Sequence, residues 1–209
     1  MDSLLKIKVC GLKEATNIIN VSSLSPDFLG FIHYPKSERF VGNLFALPEL
    51  PKHQKKVAVL VNEPLESSIK IFQQGYDFLQ LHGNESPEYC QKLKTQNISI
   101  IKAFGIGENY DFSVLNSYQP YTDFFLFDTK SPQYGGTGKK FNWNLLENYT
   151  FEKPFLLSGG ITKNEVEAIL NLDHPQLAGI DLNSGFEISP GIKNIKDLAF
   201  FIHKIKNSL

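Results

Sequence analysis

Eight short apolar or β-branched runs recur along this chain, seven of them closing on a polar residue, with helix-like stretches expected between them. They occupy residues 5–10, 28–33, 56–62, 78–82, 98–104, 124–128, 155–158 and 177–183. Several are apolar at consecutive positions instead of alternating, which marks strands buried on both faces, as in a parallel sheet covered by helices. Residues 14–21, 65–74, 87–94, 164–170 and 195–206 carry apolar side chains at helical spacing. Ser86-Pro87-Glu88 has the form of a helix start, and Pro190-Gly191 breaks the chain before the last helix. Strand alternating with helix predicts an α/β fold, and eight units point to a closed (β/α)8 TIM barrel over an open doubly wound sheet. With no linker or low-complexity segment, residues 1–209 read as a single domain.

The runs end on Cys10, His33, Asn62, His82, Asp128, Ser158 and Asn183. In a (β/α)8 barrel those ends share one rim, and that rim carries the active site. Side chains scattered over the whole sequence would then meet in one pocket.

The formal net charge of −1 supplies no global field to attract nucleic acid or an anionic membrane, so an anionic ligand must be held by a local site. No apolar run approaches the ~20 residues of a membrane span, and the opening Met1-Asp2-Ser3 lacks the basic-then-apolar form of a signal peptide. Two cysteines in unlike contexts argue against a disulfide framework and fit a cytoplasmic protein, and a zinc site has no supporting spacing. A monomer is expected, since no oversized apolar stripe stands out.

Lys8-Val9-Cys10-Gly11 places a thiol at the tip of the first run. A thiolate serves as a base where a cation or donor lowers its pKa, whereas a buried Cys is otherwise a small apolar filler. Cys90, mid-helix, fits the filler role. Asp128 ends an aromatic run, where desolvation would raise its pKa and suit a general acid; a helix cap is the alternative. Ser158-Gly159-Gly160 and Asn183-Ser184-Gly185 end the last two runs, where barrels of this kind form a phosphate cup from backbone N–H groups, though either could be an ordinary turn. Gly135-Gly136-Thr137-Gly138 is a flexible lid or a further phosphate contact, with Gly136 and Gly138 the positions of interest. Arg39 is the one arginine in a chain whose other cations are lysines, which suggests planar, two-point grip on a carboxylate or else a surface ion pair. His82 and Asp181 are substrate contacts or supports, and Asp181, inside an apolar run, needs a partner.

Taken in order, these pieces resemble the phosphoribosylanthranilate isomerases: Lys8-Val9-Cys10-Gly11, Ser37-Glu38-Arg39, Leu79-Gln80-Leu81-His82-Gly83, Phe127-Asp128-Thr129, Gly135-Gly136-Thr137-Gly138, Leu157-Ser158-Gly159-Gly160 and Asp181-Leu182-Asn183-Ser184-Gly185-Phe186-Glu187. The resemblance implies an aldose–ketose isomerase of tryptophan biosynthesis that carries out an Amadori rearrangement. It implies Cys10 as base, Asp128 as acid, Arg39 on the anthranilate carboxylate and Gly159, Gly160, Ser184 and Gly185 on the phosphate, with a phosphosugar as ligand and no cofactor. The family's usual Ser-Pro-Arg is Ser37-Glu38-Arg39 here; Asn142 replaces a commoner Asp, and Asn183 a commoner Ser. The alternatives are another phosphate-binding barrel enzyme, such as an indole-glycerol-phosphate synthase-like lyase or a pentose-phosphate epimerase, and a non-catalytic phosphosugar-binding barrel. The lyase needs a lysine at the strand ends, and only Lys102 lies near one.

Overall fold

The structure is a computed structural model that describes residues 5–130 and 141–208. Gly136 and Gly138 lie outside the described residues. Eight strands close into a parallel barrel in chain order: β1 (Lys6–Val9), β2 (Phe28–Ile32), β3 (Lys55–Leu60), β4 (Phe78–Leu81), β5 (Ile100–Ile106), β6 (Phe124–Thr129), β7 (Phe155–Leu157) and β8 (Leu177–Leu182). Closure comes from β1 pairing with β8, in a register that sets Lys8 opposite Asp181.

Every apolar run predicted from the sequence is one of these strands, with ends shifted by a residue or two. Helices α1 (Ala15–Ser22), α2 (Leu65–Phe72), α3 (Pro87–Lys94), α4 (Val166–Leu170) and α5 (Ile195–Asn207) cover the outside. The Ser86 side chain accepts from the Tyr89 N–H at the start of α3, with Pro87 in the first turn where its missing N–H costs nothing. At α1 the predicted first residue, Glu14, is instead the cap: its carboxylate accepts from the N–H groups of Thr16 and Asn17. Three units depart from helix. No helix follows β2, where Pro35, Gly42, Pro48 and Pro51 interrupt the chain. After β5 and β6 the described cover is 3-10 turns: Phe112–Ser117 and Gln119–Tyr121, then Trp143–Asn148. An unanticipated antiparallel hairpin, β9 (Glu187–Ser189) and β10 (Ile192–Lys193), stands between β8 and α5, with Pro190-Gly191 as its turn.

Strand alternation sorts the core into two layers. Ile7, Val9, Leu79, Leu81, Phe125 and Phe127 pack outward under the helices. Phe28, Val57, Val59, Ile101, Leu126 and Leu156 fill the lumen, and Cys10 belongs to that inner set. Phe28, Phe78 and Phe124, from alternate strands, meet edge-on at ring-centre distances of 5.7–6.1 Å. That aromatic layer packs the lumen below the polar side chains of the rim.

Candidate active site

On β1 the two-residue period puts Lys8 on the same face as Cys10. Both are buried, Cys10 to 3% exposure and Lys8 completely. Glycine at position 30 leaves room for the thiol, since a Cβ there would stand 2.8 Å from Sγ. Lys8 Nζ donates to Asp181 Oδ1 at 2.9 Å, which is the partner that the buried carboxylate required. Burial pushes the Cys10 thiol above the ordinary thiol range; the Lys8 ammonium opposes that rise and the Asp181 charge adds to it. Burial also works against the Lys8 charge, but Asp181 and Cys10 outweigh it and keep the ammonium protonated. Burial raises the Asp181 carboxyl, with Lys8 opposing. One sealed cation therefore lies between two acids.

A second charged group adjoins the thiol. Arg39, in the loop after β2, donates Nε to Glu187 Oε1 and Oε2 at 2.9 and 3.0 Å, and Nη2 to Oε2 at 2.6 Å. Lys193, buried on β10, donates to Glu187 Oε1 at 2.7 Å and to Asn183 Oδ1 at 2.8 Å. Gly11, at φ +77°, turns the chain between these side chains: a Cβ there would lie 2.6 Å from Asn183 Oδ1 and 2.8 Å from Arg39 Cδ. Burial works to raise the Glu187 carboxyl, yet the Arg39 hydrogen bonds and the Lys193 charge hold it below the usual carboxylate range. Around Cys10 stand three cations, Lys8, Arg39 and Lys193, against two carboxylates, a local positive site in a near-neutral chain.

Asp128 occupies the other side of the mouth, two residues beyond the lumen residue Leu126 on β6. Its side chain is 18% exposed; Oδ1 accepts from the Thr129 N–H at 2.7 Å, and Oδ2 lies 3.5 Å from His82 Nε2. His82 Nδ1 is 3.0 Å from the Gln80 amide nitrogen, which fixes the imidazole. Asp181 is the more deeply buried of the two carboxyls, because β8 keeps it in the lumen while β6 carries Asp128 up to the rim. Asp181 feels the charges of Lys8, Asp128 and His82, so the thiol side and the carboxyl side converge on it.

The last two loops frame this mouth. Gly159, at φ +91°, presses against Asp128, with a Cβ there 2.8 Å from Oδ1. Ser184–Phe186 forms a 3-10 turn, and Gly185 abuts the Ile161 backbone, so the two loops touch. Among the described residues, no protein acceptor engages the N–H groups of Gly159, Gly160, Ser184 or Gly185.

The predicted residues that the structure describes thus gather at one barrel mouth, with one revision. Arg39 is not a free clamp, because Glu187 already holds one edge of its guanidinium. Lys102 faces outward from β5, buried against Glu85 at 3.2 Å and the Leu81, Gly83 and Ala103 carbonyls, away from the lumen. Cys90 is a buried helix residue whose thiol is pushed up to about 12 by burial. His33 is tied to the Tyr76 hydroxyl at 2.7 Å. Sequence reasoning missed Lys8, Glu187 and Lys193. The alternation of β1 could have revealed Lys8, and Glu187 closes one of the stretches that carry the family resemblance; nothing local signals that Glu187 and Lys193 meet.

Residues 7–204 match the family model for N-(5'-phosphoribosyl)anthranilate (PRA) isomerase. The chain belongs to this family. It is therefore an isomerase enzyme on a (β/α)8 barrel. The N-(5'-phosphoribosyl)anthranilate isomerase of Parabacteroides distasonis is 48% identical over 95% of this chain and 92% of its own length. That of Phocaeicola vulgatus is 42% identical over 97% and 98%. Among solved structures, the phosphoribosyl anthranilate isomerase of Thermotoga maritima superposes with a TM-score of 0.84 at 31% identity, covering 97% of this chain and 99% of that one. A phosphoribosyl anthranilate isomerase in complex with reduced 1-(o-carboxyphenylamino)-1-deoxyribulose 5-phosphate superposes at 0.80 with 27% identity, over 97% and 99%.

Proposed function

We propose that this isomerase converts N-(5'-phosphoribosyl)anthranilate, an aminoaldose, to 1-(2-carboxyphenylamino)-1-deoxyribulose 5-phosphate, an aminoketose, in tryptophan biosynthesis, with Cys10 as base and Asp128 as acid. The observation that carries this reading is that β1 and β6 bring a thiol and a rim carboxyl to the same barrel mouth, with Lys8, the inward neighbour of the thiol on β1, ion-paired to Asp181 of β8. Asp128 gives a proton to the ribose ring oxygen as the C1'–O bond breaks, and the nitrogen lone pair completes a protonated imine. Cys10, as thiolate, takes the C2' proton; the released electron pair flows into the imine and leaves an enolamine, which tautomerises to the ketone. The protonated imine is the electron sink, so these steps call on no metal or organic cofactor.

Lys8 and Lys193 favour the thiolate that burial alone would suppress. Arg39 grips the anthranilate carboxylate. The N–H groups of Gly159, Gly160, Ser184 and Gly185 hold the phosphate without a dedicated basic side chain. His82 and Asp181 support the acid and the base. Residues 1–209 act as one catalytic domain, a monomer working in the cytoplasm on a small phosphosugar, with no nucleic-acid or membrane partner. No helix among the described residues is long and apolar enough to cross a membrane.

A fluorescence assay following consumption of phosphoribosylanthranilate by the purified protein tests the reading. Turnover that persists in the presence of a chelator is expected; no turnover of this substrate would refute it.

A further inference from the structure

Glu187 fills one edge of the Arg39 guanidinium and leaves the other open. Its carboxylate takes Nε–H and one Nη2–H, while no acceptor among the described residues engages Nη1. Arg39 is buried to 13% side-chain exposure and Glu187 to 5%, so their pairing is shielded from water and worth more than a surface pair.

Glu187 is itself held by two further donors. Lys193 Nζ donates to Oε1 at 2.7 Å, and the Gly191 N–H donates to the same oxygen at 3.1 Å. The hairpin that carries both residues is bolted to α1: the Asn17 amide donates to the Lys193 carbonyl at 3.0 Å and accepts from the Lys193 N–H at 2.8 Å. Asn194, the next residue, donates its N–H to the Phe186 carbonyl at 2.8 Å. A carboxylate held this firmly orients the guanidinium rather than following it.

We infer that Glu187 is a positioning residue for Arg39: by occupying the Nε edge it turns the Nη1 side toward the pocket and thereby sets affinity for ligands bearing the anthranilate carboxylate. Arg39 keeps Glu187 when the ligand binds; the two carboxylates occupy different edges of one fork. The inference rests on the reading of Arg39 as the carboxylate clamp. The opposite arrangement, in which the ligand carboxylate must displace Glu187, predicts the reverse sign for the loss of the Glu187 charge.

Two probes separate these cases: reduced 1-(o-carboxyphenylamino)-1-deoxyribulose 5-phosphate and its counterpart lacking the ring carboxylate, each titrated into wild-type, Glu187→Gln, Glu187→Asp and Arg39→Ala proteins. Glu187→Gln is expected to weaken the carboxylated probe by roughly tenfold, in line with loss of a charge-assisted hydrogen bond, and to leave the decarboxylated probe within about twofold. Glu187→Asp, which keeps the charge but shortens the reach, should weaken the carboxylated probe by an intermediate factor and serves if Glu187→Gln does not fold. Equal or tighter binding of the carboxylated probe by either variant overturns the inference, as does an equal loss on both probes. Arg39→Ala that still prefers the carboxylated probe as wild type does would instead overturn the clamp reading on which the inference stands.

Discussion

The two sides of the barrel mouth differ in how they treat charge. On the β8–β1 side, Cys10 is 3% exposed, with the Lys8 ammonium on the face below it and Lys193 and Arg39 nearby. On the β4–β6 side, Asp128 keeps an 18% exposed carboxyl, steadied by a backbone N–H and a histidine. A buried thiol is a poor base unless cations stand by it, and here the barrel supplies them from β1 and the hairpin. A rim carboxyl can exchange its proton with solvent between turnovers, which suits an acid that must be reloaded. The contrast teaches that one barrel rim offers two dielectric settings, chosen by how many residues past the lumen core each strand carries its functional side chain.

Removing either partner should break the comparison outright. Cys10→Ala and Asp128→Asn are each expected to lower kcat by about 10²- to 10⁴-fold with folding intact, measured by steady-state turnover and thermal unfolding. A variant that keeps near-wild-type kcat would remove its residue from the proton path.

The next effect sharpens the thiol side. kcat/KM should rise with pH as Cys10 deprotonates, and the charges around it should move that rise in opposite directions. Lys8→Met removes the opposing cation and shifts the rise to higher pH, with a loss at neutral pH of roughly 10-fold or more. Asp181→Asn removes the charge that raises the thiol and shifts it to lower pH. Breaking the buried Lys8–Asp181 pair by the Lys8→Met change should also cost about 3–5 kcal/mol of stability, read by denaturant unfolding. Coincident pH profiles for the two variants would show that this pair does not govern Cys10.

A smaller effect concerns the ligand's far end. Arg39→Lys should raise KM by roughly tenfold with little change in kcat, since an ammonium cannot grip Glu187 and a ligand with one planar fork. An unchanged KM would remove Arg39 from substrate binding.

The smallest effect should lie away from the mouth. Burial lowers the His33 pKa from 6.5 to about 4, so the folded state holds it neutral where the unfolded chain binds a proton. Its contribution is complete above pH 6.5 and is lost as pH falls toward 4. His33→Gln should flatten the decline of stability across that window without shifting the pH profile of kcat/KM; a parallel shift in activity would couple this residue to the mouth.

Much of this was legible in the chain. The eight strands could be read because a parallel barrel buries both strand faces and writes continuous apolar runs. Cys10, His82 and Asp128 could be read because each ends such a run. The Lys8–Asp181 pair joins residues 173 positions apart, and only barrel closure brings them together. Arg39 and Glu187 are 148 positions apart and meet through a hairpin whose strands are three and two residues long, too short to register as a periodic pattern. The 3-10 turns after β5 and β6 lack helical periodicity for the same reason.

The most direct measurement is a crystal structure of this chain with reduced 1-(o-carboxyphenylamino)-1-deoxyribulose 5-phosphate. The account predicts Cys10 Sγ against the C2' region, the Asp128 carboxyl within hydrogen-bonding distance of the oxygen that closed the ring, and the phosphate on the Gly159-Gly160 and Ser184-Gly185 backbone. A bound sugar chain that contacts only one of the thiol and the carboxyl would contradict it.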